Sequence, residues 1–296
     1  MKTLPLYPAA VLSRRFWGLV LLSVTALWAW PASADAPPYS GSAGIGYDSN
    51  PGNAEVGSTV PATGYGTAGV ASELMQHLSG DTALLTRGSL DAQQYFRYAG
   101  LSNARATLQL SGLYRAGGGF FAPTVAVWSS ALGMASRSHI RSGGEYRGGV
   151  YVDEQLSTAI NLRLGGYASE RDADSEVFTL RDKAATLDAG WLLGDRLTAH
   201  LGYEYRYGGF AVSSPADPGA LAFSTAHRHD DTLSIDGVGN IVYRLKGHAQ
   251  IGTFGLNYAL TPTLALDAQA QKIHSVAVSH DHYDRWLTEL CLFVRF

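Results

Sequence analysis

The last twelve residues, Arg285 to Phe296, alternate in character with a period of two. Trp286, Thr288, Leu290, Leu292, Val294 and Phe296 fall on one side, apolar but for Thr288. Arg285, Leu287, Glu289, Cys291, Phe293 and Arg295 fall on the other, which carries three charges. Successive side chains of a strand point to opposite faces, so this stretch reads as a strand with one greasy and one polar face. An aromatic residue at the terminal carboxylate of such a strand is unusual in a water-soluble domain. No other segment restricts the fold as much.

Comparable segments recur along the chain, separated by turn chemistry. Ser40 to Asp48 ends in Ser49-Asn50-Pro51-Gly52, and Thr63 to Met75 runs to Ser79-Gly80-Asp81. Ala83 to Phe96 and Arg105 to Arg115 form a pair, and Gly117-Gly118-Gly119 leads into Phe120 to Leu132. His139 to Val152 and Thr158 to Ser169 flank Asp153-Glu154-Gln155. Val177 to Leu192 passes through Leu193-Gly194-Asp195-Arg196 to a strand from Leu197 to Tyr207. Gly247 to Leu260 and Thr263 to Ile273 form a hairpin before the closing strand, which makes twelve segments. Gly208 to about Lys246 reads as the longest irregular stretch, within which Asp231 to Leu245 is either further strand or a structured external extension.

The closing strand resembles the last strand of bacterial outer-membrane β-barrels, whose final Phe is part of the signal read by the insertion machinery. That resemblance implies a transmembrane antiparallel up-and-down β-barrel of about twelve strands. An even count puts both chain ends on one side, with short periplasmic turns and longer external loops. Turns at 76–82, 116–119, 153–157, 193–196 and 260–263 fall on one rim, and loops at 49–62, 97–104, 170–176, 208–246 and 277–284 on the other. The connection at 134–138 is short and departs from this asymmetry. Trp128, Trp191, Tyr203, Tyr205, Tyr207 and Trp286 lie toward segment ends, where interfacial aromatic belts are expected. A soluble β-sandwich or lipocalin-like barrel is the competing fold.

The amino end fits export to the outer membrane of a Gram-negative bacterium. Lys2, Arg14 and Arg15 precede an apolar run from Phe16 to Trp30, and Pro31-Ala32-Ser33-Ala34 follows. This order matches a signal peptide over 1–34, leaving 35–296 as the barrel. The run is short for a membrane helix. Without Lys2, Arg14 and Arg15 the 22 basic residues fall to 19 against 25 acidic ones, a balance that speaks against nucleic acid. The lone Cys291 forms no internal disulfide.

With the apolar faces toward lipid, the expected lumen-lining set comprises Arg87, Arg105, Arg147, Arg163, Glu204, Arg206, Asp267, Arg285, Glu289 and Arg295. Glu73, Asp91, Arg115, Glu145, Asp188 and His200 share those faces. Arginine is a rigid fork that pairs two carboxylate oxygens, so the set points to small anionic or saccharide-like solutes. Equally, the charges pair with one another and fill a narrow bore. His227 with His229, and His280 with His282, stand two residues apart beside acids; a solvated loop is the plainer reading than a metal site.

No catalytic residue and no cofactor is expected. The His-x-Ser-Asn-Gly run of outer-membrane phospholipases and the motifs of lipid A deacylases are absent. Gly44-Ile45-Gly46-Tyr47-Asp48-Ser49-Asn50-Pro51 resembles the opening strand of barrels in surface lipoprotein assembly modifiers and of barrels linked to exopolysaccharide secretion. That likeness carries over no site residue. The leading expectation is a narrow conduit for passage or export. The alternatives are a non-transporting barrel that binds a partner or surface polymer, and a lipid-modifying enzyme.

Overall fold

A strand in hydrocarbon needs both edges paired, because lipid offers no partner to a free N–H or C=O. The computed structural model, which describes residues 39–56, 61–214, 217–235 and 238–296, meets this by closure. The expected signal peptide, 1–34, lies outside the described residues. Antiparallel neighbours follow in order as β1 (Tyr39–Asp48), β2 (Thr63–His77), β3 (Thr82–Tyr95) and β4 (Asn103–Arg115). The wall continues through β5 (Thr124–Ser136), β6 (Gly143–Gln155), β7 (Ile160–Ala173), β8 (Leu180–Leu192) and β9 (Leu197–Ser214).

After β10 (Ala226–Ile235) come β11 (Val238–Ala259), β12 (Leu264–Ala277) and β13 (His282–Arg295). The sheet closes where β13 pairs with β1 and β9 pairs with β11. Twelve strands thus form the wall. β10 is a thirteenth, which pairs with the outer part of β11 from Val238 to Arg244, beyond the point where β12 stops. The stretch 208–246 is therefore largely ordered, correcting the expectation of an irregular loop. β9 runs on to Ser214, a short helix α1 (Pro218–Phe223) follows, and a hairpin completes it. Thr232, Leu233, Ile241, Val242 and Tyr243 suit extended backbone well enough to explain this.

Ile45, Val70, Leu90, Leu110, Val127, Leu164, Leu201 and Leu290 are all exposed on the outer face, where lipid replaces water. Tyr47, Tyr146, Tyr205, Tyr207 and Trp286 border this band toward the loop rim, and Tyr39, Tyr114, Trp191 and Tyr258 toward the turn rim. Trp128 belongs to neither belt. It stands opposite Ser111 and Gly149 on the inward register and its ring lies 6.0 Å from that of Tyr167, so it fills the lumen. Phe120 and Phe121 sit in the turn before β5, so that strand begins four residues later than its apolar run indicates.

Small inward residues make room for large neighbours. The Tyr65 ring occupies the space that a Cβ on Gly46 would take, whereas a Cβ on Gly252 would meet open space. Gly46→Val is expected to destabilise the folded barrel by about 1–3 kcal/mol through overpacking. Gly252→Ala serves as the silent control. Urea unfolding in lipid vesicles measures both; equal midpoints for Gly46→Val and wild type would show that Tyr65 yields freely.

Candidate functional site

Strand register decides which inward side chains meet. Glu73 stands opposite Arg87, Asp91 opposite Arg105, and Asp153 opposite Arg163. Arg87 reaches Glu73 at 2.5 Å. Arg163 forks onto one oxygen of Asp153 at 2.9 and 2.7 Å. Arg147 pairs with Glu145 and lies 5.7 Å from the centre of the Tyr167 ring. Arg206 holds Glu204 at 2.6 Å and donates to the Tyr167 hydroxyl at 3.1 Å, and that hydroxyl also reaches Glu204 at 3.1 Å. On the facing wall Glu289 accepts from Thr67 at 2.9 Å and Tyr65 at 3.3 Å, and Asp267 accepts from Asn257 at 3.3 Å.

Two arginines of the expected set differ from these. Among the described residues Arg105 donates only to side-chain amide oxygens, Asn103 at 2.8 Å and Gln93 at 3.2 Å. Arg295 has no side-chain ion pair among the described residues and borders a cavity of about 540 Å³. Ser40, Glu73, Arg87, Ser89 and Gln109 also line that cavity.

At the outer end, Asp48 is fully buried. Arg285 grips it through Nε at 2.9 Å and Nη2 at 2.5 Å, and the Tyr95 hydroxyl donates to it at 3.2 Å. Over this triad the upper ends of β9 and β11, with β10 along their edge, fold across the mouth. Leu233 of β10 is completely buried among Tyr65, Tyr95, Tyr98 and Leu101, which come from β2, β3 and the 3₁₀ turn after β3. Asp230 of β10 accepts from Arg141 at 2.7 Å, and Arg141 lies in the 3₁₀ turn between β5 and β6. Val242 of β11 packs on Ile140 of that same turn and on Val177 and Phe178 of the 3₁₀ turn between β7 and β8. Arg244 donates to the carbonyls of Glu176 and Thr179 at 3.0 and 2.9 Å. On the opposite side Ser213 donates through its backbone to Gly52 at 3.0 Å. These contacts carry the lid across the outer mouth.

Asp230 is one of two carboxylates that hold the lid, the other being Glu176 on Arg244 at 3.1 Å. Burial opposes ionisation of Asp230, but the Arg141 guanidinium and hydrogen bonds from Thr232 outweigh burial and hold the carboxyl below the usual carboxylate range. Sequence spacing gave no sign of Arg141 with Asp230, 89 positions apart, nor of Asp48 with Arg285, 237 apart. Of the histidines, His227 and His229 lie on β10, while His282 stacks on His274 of the outer wall. Among the described residues no group of three His, Cys, Asp or Glu side chains is placed to hold a metal.

Arg285→Ala would leave Asp48 buried without its partner, a cost of about 3–5 kcal/mol. The double change Asp48→Asn with Arg285→Leu is expected to recover most of that loss in urea unfolding. Equal stability of Arg285→Ala and wild type would mean that water solvates Asp48.

No protein-family profile and no curated protein sequence matches the chain. Solved structures match in shape. An outer-membrane channel from Pseudomonas putida superposes with a TM-score of 0.55 over 90% of this chain and 99% of its own, at 12% identity. The NanC porin reaches 0.46 over 86% and 100%, at 9% identity. A KdgM porin in complex with disordered oligogalacturonate reaches 0.44 over 86% and 99%, at 7% identity. The closed antiparallel wall that the chain shares with the Pseudomonas channel makes its fold that of a Gram-negative outer-membrane β-barrel.

Proposed function

We propose that the barrel is a narrow conduit for small hydrophilic molecules, shut at its outer mouth by a lid that opens. One observation carries this reading. The lid is fastened to the loop turns by side chains, through the ion pairs of Arg141 with Asp230 and Arg244 with Glu176 and the burial of Leu233 and Val242, while the twelve-stranded wall closes without it. Releasing those fastenings leaves the wall's hydrogen bonds intact and uncovers a polar lumen. Acidic, saccharide-like solutes are the preferred class. Arg105 and Arg295 keep donors not spent on carboxylates, and Ser40, Ser89 and Gln109 supply partners for sugar hydroxyls.

Planar-bilayer recording tests the lid. Asp230→Asn leaves Arg141 buried without its counter-charge, and Leu233→Asp puts a charge into an aromatic pocket. Each is expected to shift the open-to-closed ratio by about a hundred-fold, roughly 3 kcal/mol. Wild type, Asp230→Asn and Leu233→Asp all without conductance would sink the conduit. A non-transporting surface barrel, favoured by the extent of charge pairing in the lumen, would then stand in its place.

Acid supplies an independent check. The folded pKa of Asp230 is depressed, so its contribution to closure is present above the ordinary carboxylate pKa and is lost as pH falls through the lowered value. Opening is expected to rise below about pH 4. Asp230→Asn should diminish that rise, and an undiminished rise would take Asp230 out of the closure.

For solute class, liposome uptake of galacturonate is compared with that of galactose. Arg105→Ala in the lid-open background is expected to lower the acidic-to-neutral uptake ratio by about ten-fold, the worth of one hydrogen bond to a charged group. An unchanged ratio would remove Arg105 from the solute path.

A further inference from the structure

Every lysine among the described residues lies on the lipid-facing side of one sector of the wall. Lys183 on β8, Lys246 on β11 and Lys272 on β12 are all exposed, whereas the lumen cations named above are arginines. The register gathers them with three histidines. Lys183 stands opposite Tyr207 of β9, and Tyr207 stands opposite His248 of β11, two residues from Lys246 on the same face. Across β12, His248 stands opposite Val276, and Val276 opposite His282 of β13. His282 stacks on His274 at 5.5 Å, and the Lys272 amine lies 5.4 Å from the Trp286 ring. This face crosses five neighbouring strands, about 20 Å at ordinary strand spacing. The outward strand positions of β1 to β6 carry no cation at all.

Hydrocarbon rejects an amine, so a lysine on a lipid-facing wall lifts its head to the interface. Its level is fixed by Tyr205, Tyr207 and Trp286, the aromatic belt of the outer rim. Local acids answer only part of the charge: Asp284 takes His274 at 2.7 Å, and Glu170 takes Arg181 at 2.6 Å. The side chains of Lys183 and Lys246 have no ion pair, hydrogen bond or ring partner among the described residues. Below them Leu187, Leu201 and Phe254 present exposed apolar wall.

We propose that this face binds an anionic lipid of the outer leaflet. Its phosphate groups lie among Lys183, Lys246 and Lys272, and its acyl chains lie along Leu187, Leu201 and Phe254. The complementarity is of both kinds, charge at the rim and apolar area beneath, and no free anion would use the second.

Electron spin resonance measures which lipids the wall immobilises. The barrel is refolded in phosphatidylcholine vesicles containing spin-labelled phosphatidic acid or spin-labelled phosphatidylcholine. Averaged over the whole lipid shell, the phosphatidic acid is expected to associate about three-fold more strongly. The variant Lys183→Gln, Lys246→Gln, Lys272→Gln should fall to parity. The variant with arginine at the same three positions should keep the preference, which separates loss of charge from loss of fold. Parity for wild type, an undiminished preference in the glutamine variant, or loss in the arginine variant would each overturn the assignment. Displacement of the lipid by equimolar inorganic phosphate would also overturn it, in favour of a free-anion site.

Discussion

Backbone hydrogen bonding in a medium without water sets everything else in this molecule. A free N–H or C=O in hydrocarbon costs several kcal/mol, so an open sheet edge is not available to a chain that crosses lipid in strands. Ser40 through Asp48 of β1 therefore takes Arg295 through Leu287 of β13 as its partner, and first and last strands become neighbours. Closure in turn divides the side chains. Positions facing lipid can hold only apolar or interfacial residues, and the charged residues of the alternating pattern are driven inward. Twelve strands leave little bore, so inward charges come within reach of one another. The ion pairs of the lumen follow from the closed ladder as much as from selection of individual residues.

The mouth obeys a different rule, because water is available there. Strand β10 pairs with β11 on one edge and needs no partner on the other, an arrangement that the hydrocarbon layer would forbid. What holds it is side-chain chemistry: Leu233 in a pocket of three tyrosines and Leu101, and Asp230 on Arg141. Beneath them Asp48 and Arg285 repeat the same pairing. Acid and base alternate across these few side chains. Hydrophobic burial positions the lid and the ion pair registers it. Neither fastening involves the ladder of the wall.

Much of the wall was legible from period-two alternation, because lipid on one side and polar neighbours on the other enforce it residue by residue. The closing strand and the paired short turns both have this origin. Three things were not. Trp128 reads as a belt residue because a tryptophan near a strand end usually meets an interface; here Ser111 and Gly149 leave it space inside. Phe120 and Phe121 read as strand because they are apolar, yet the turn places them before β5. The lid escaped because its contacts, Asp230 to Arg141 and Leu233 to Tyr65, depend on how loops fold over a closed barrel, and no local pattern records that. The same reason hid which arginines are occupied: pairing is set by register between strands, not by position within one.

The division between lid and wall can be located on β11. Up to Arg244 its neighbour on that edge is β10, and from Gly247 it is β12. Opposite this change of partner Gly208 faces Gly247 and Gly209 faces Lys246. A Cβ on Gly208 or Gly247 would run into the backbone of the adjacent strand, so the absence of side chains there is what lets the sheet turn inward. Glycine also leaves the backbone freest to change its dihedral angles. A lid that moves as a unit therefore bends along this line and not through the paired wall below it. Lys246, facing lipid at the same height, stands on the bend itself. The lipid site proposed for Lys246 and the proposed opening of the mouth would thus act on one short segment, and would couple the surrounding lipid to the energetics of the lid.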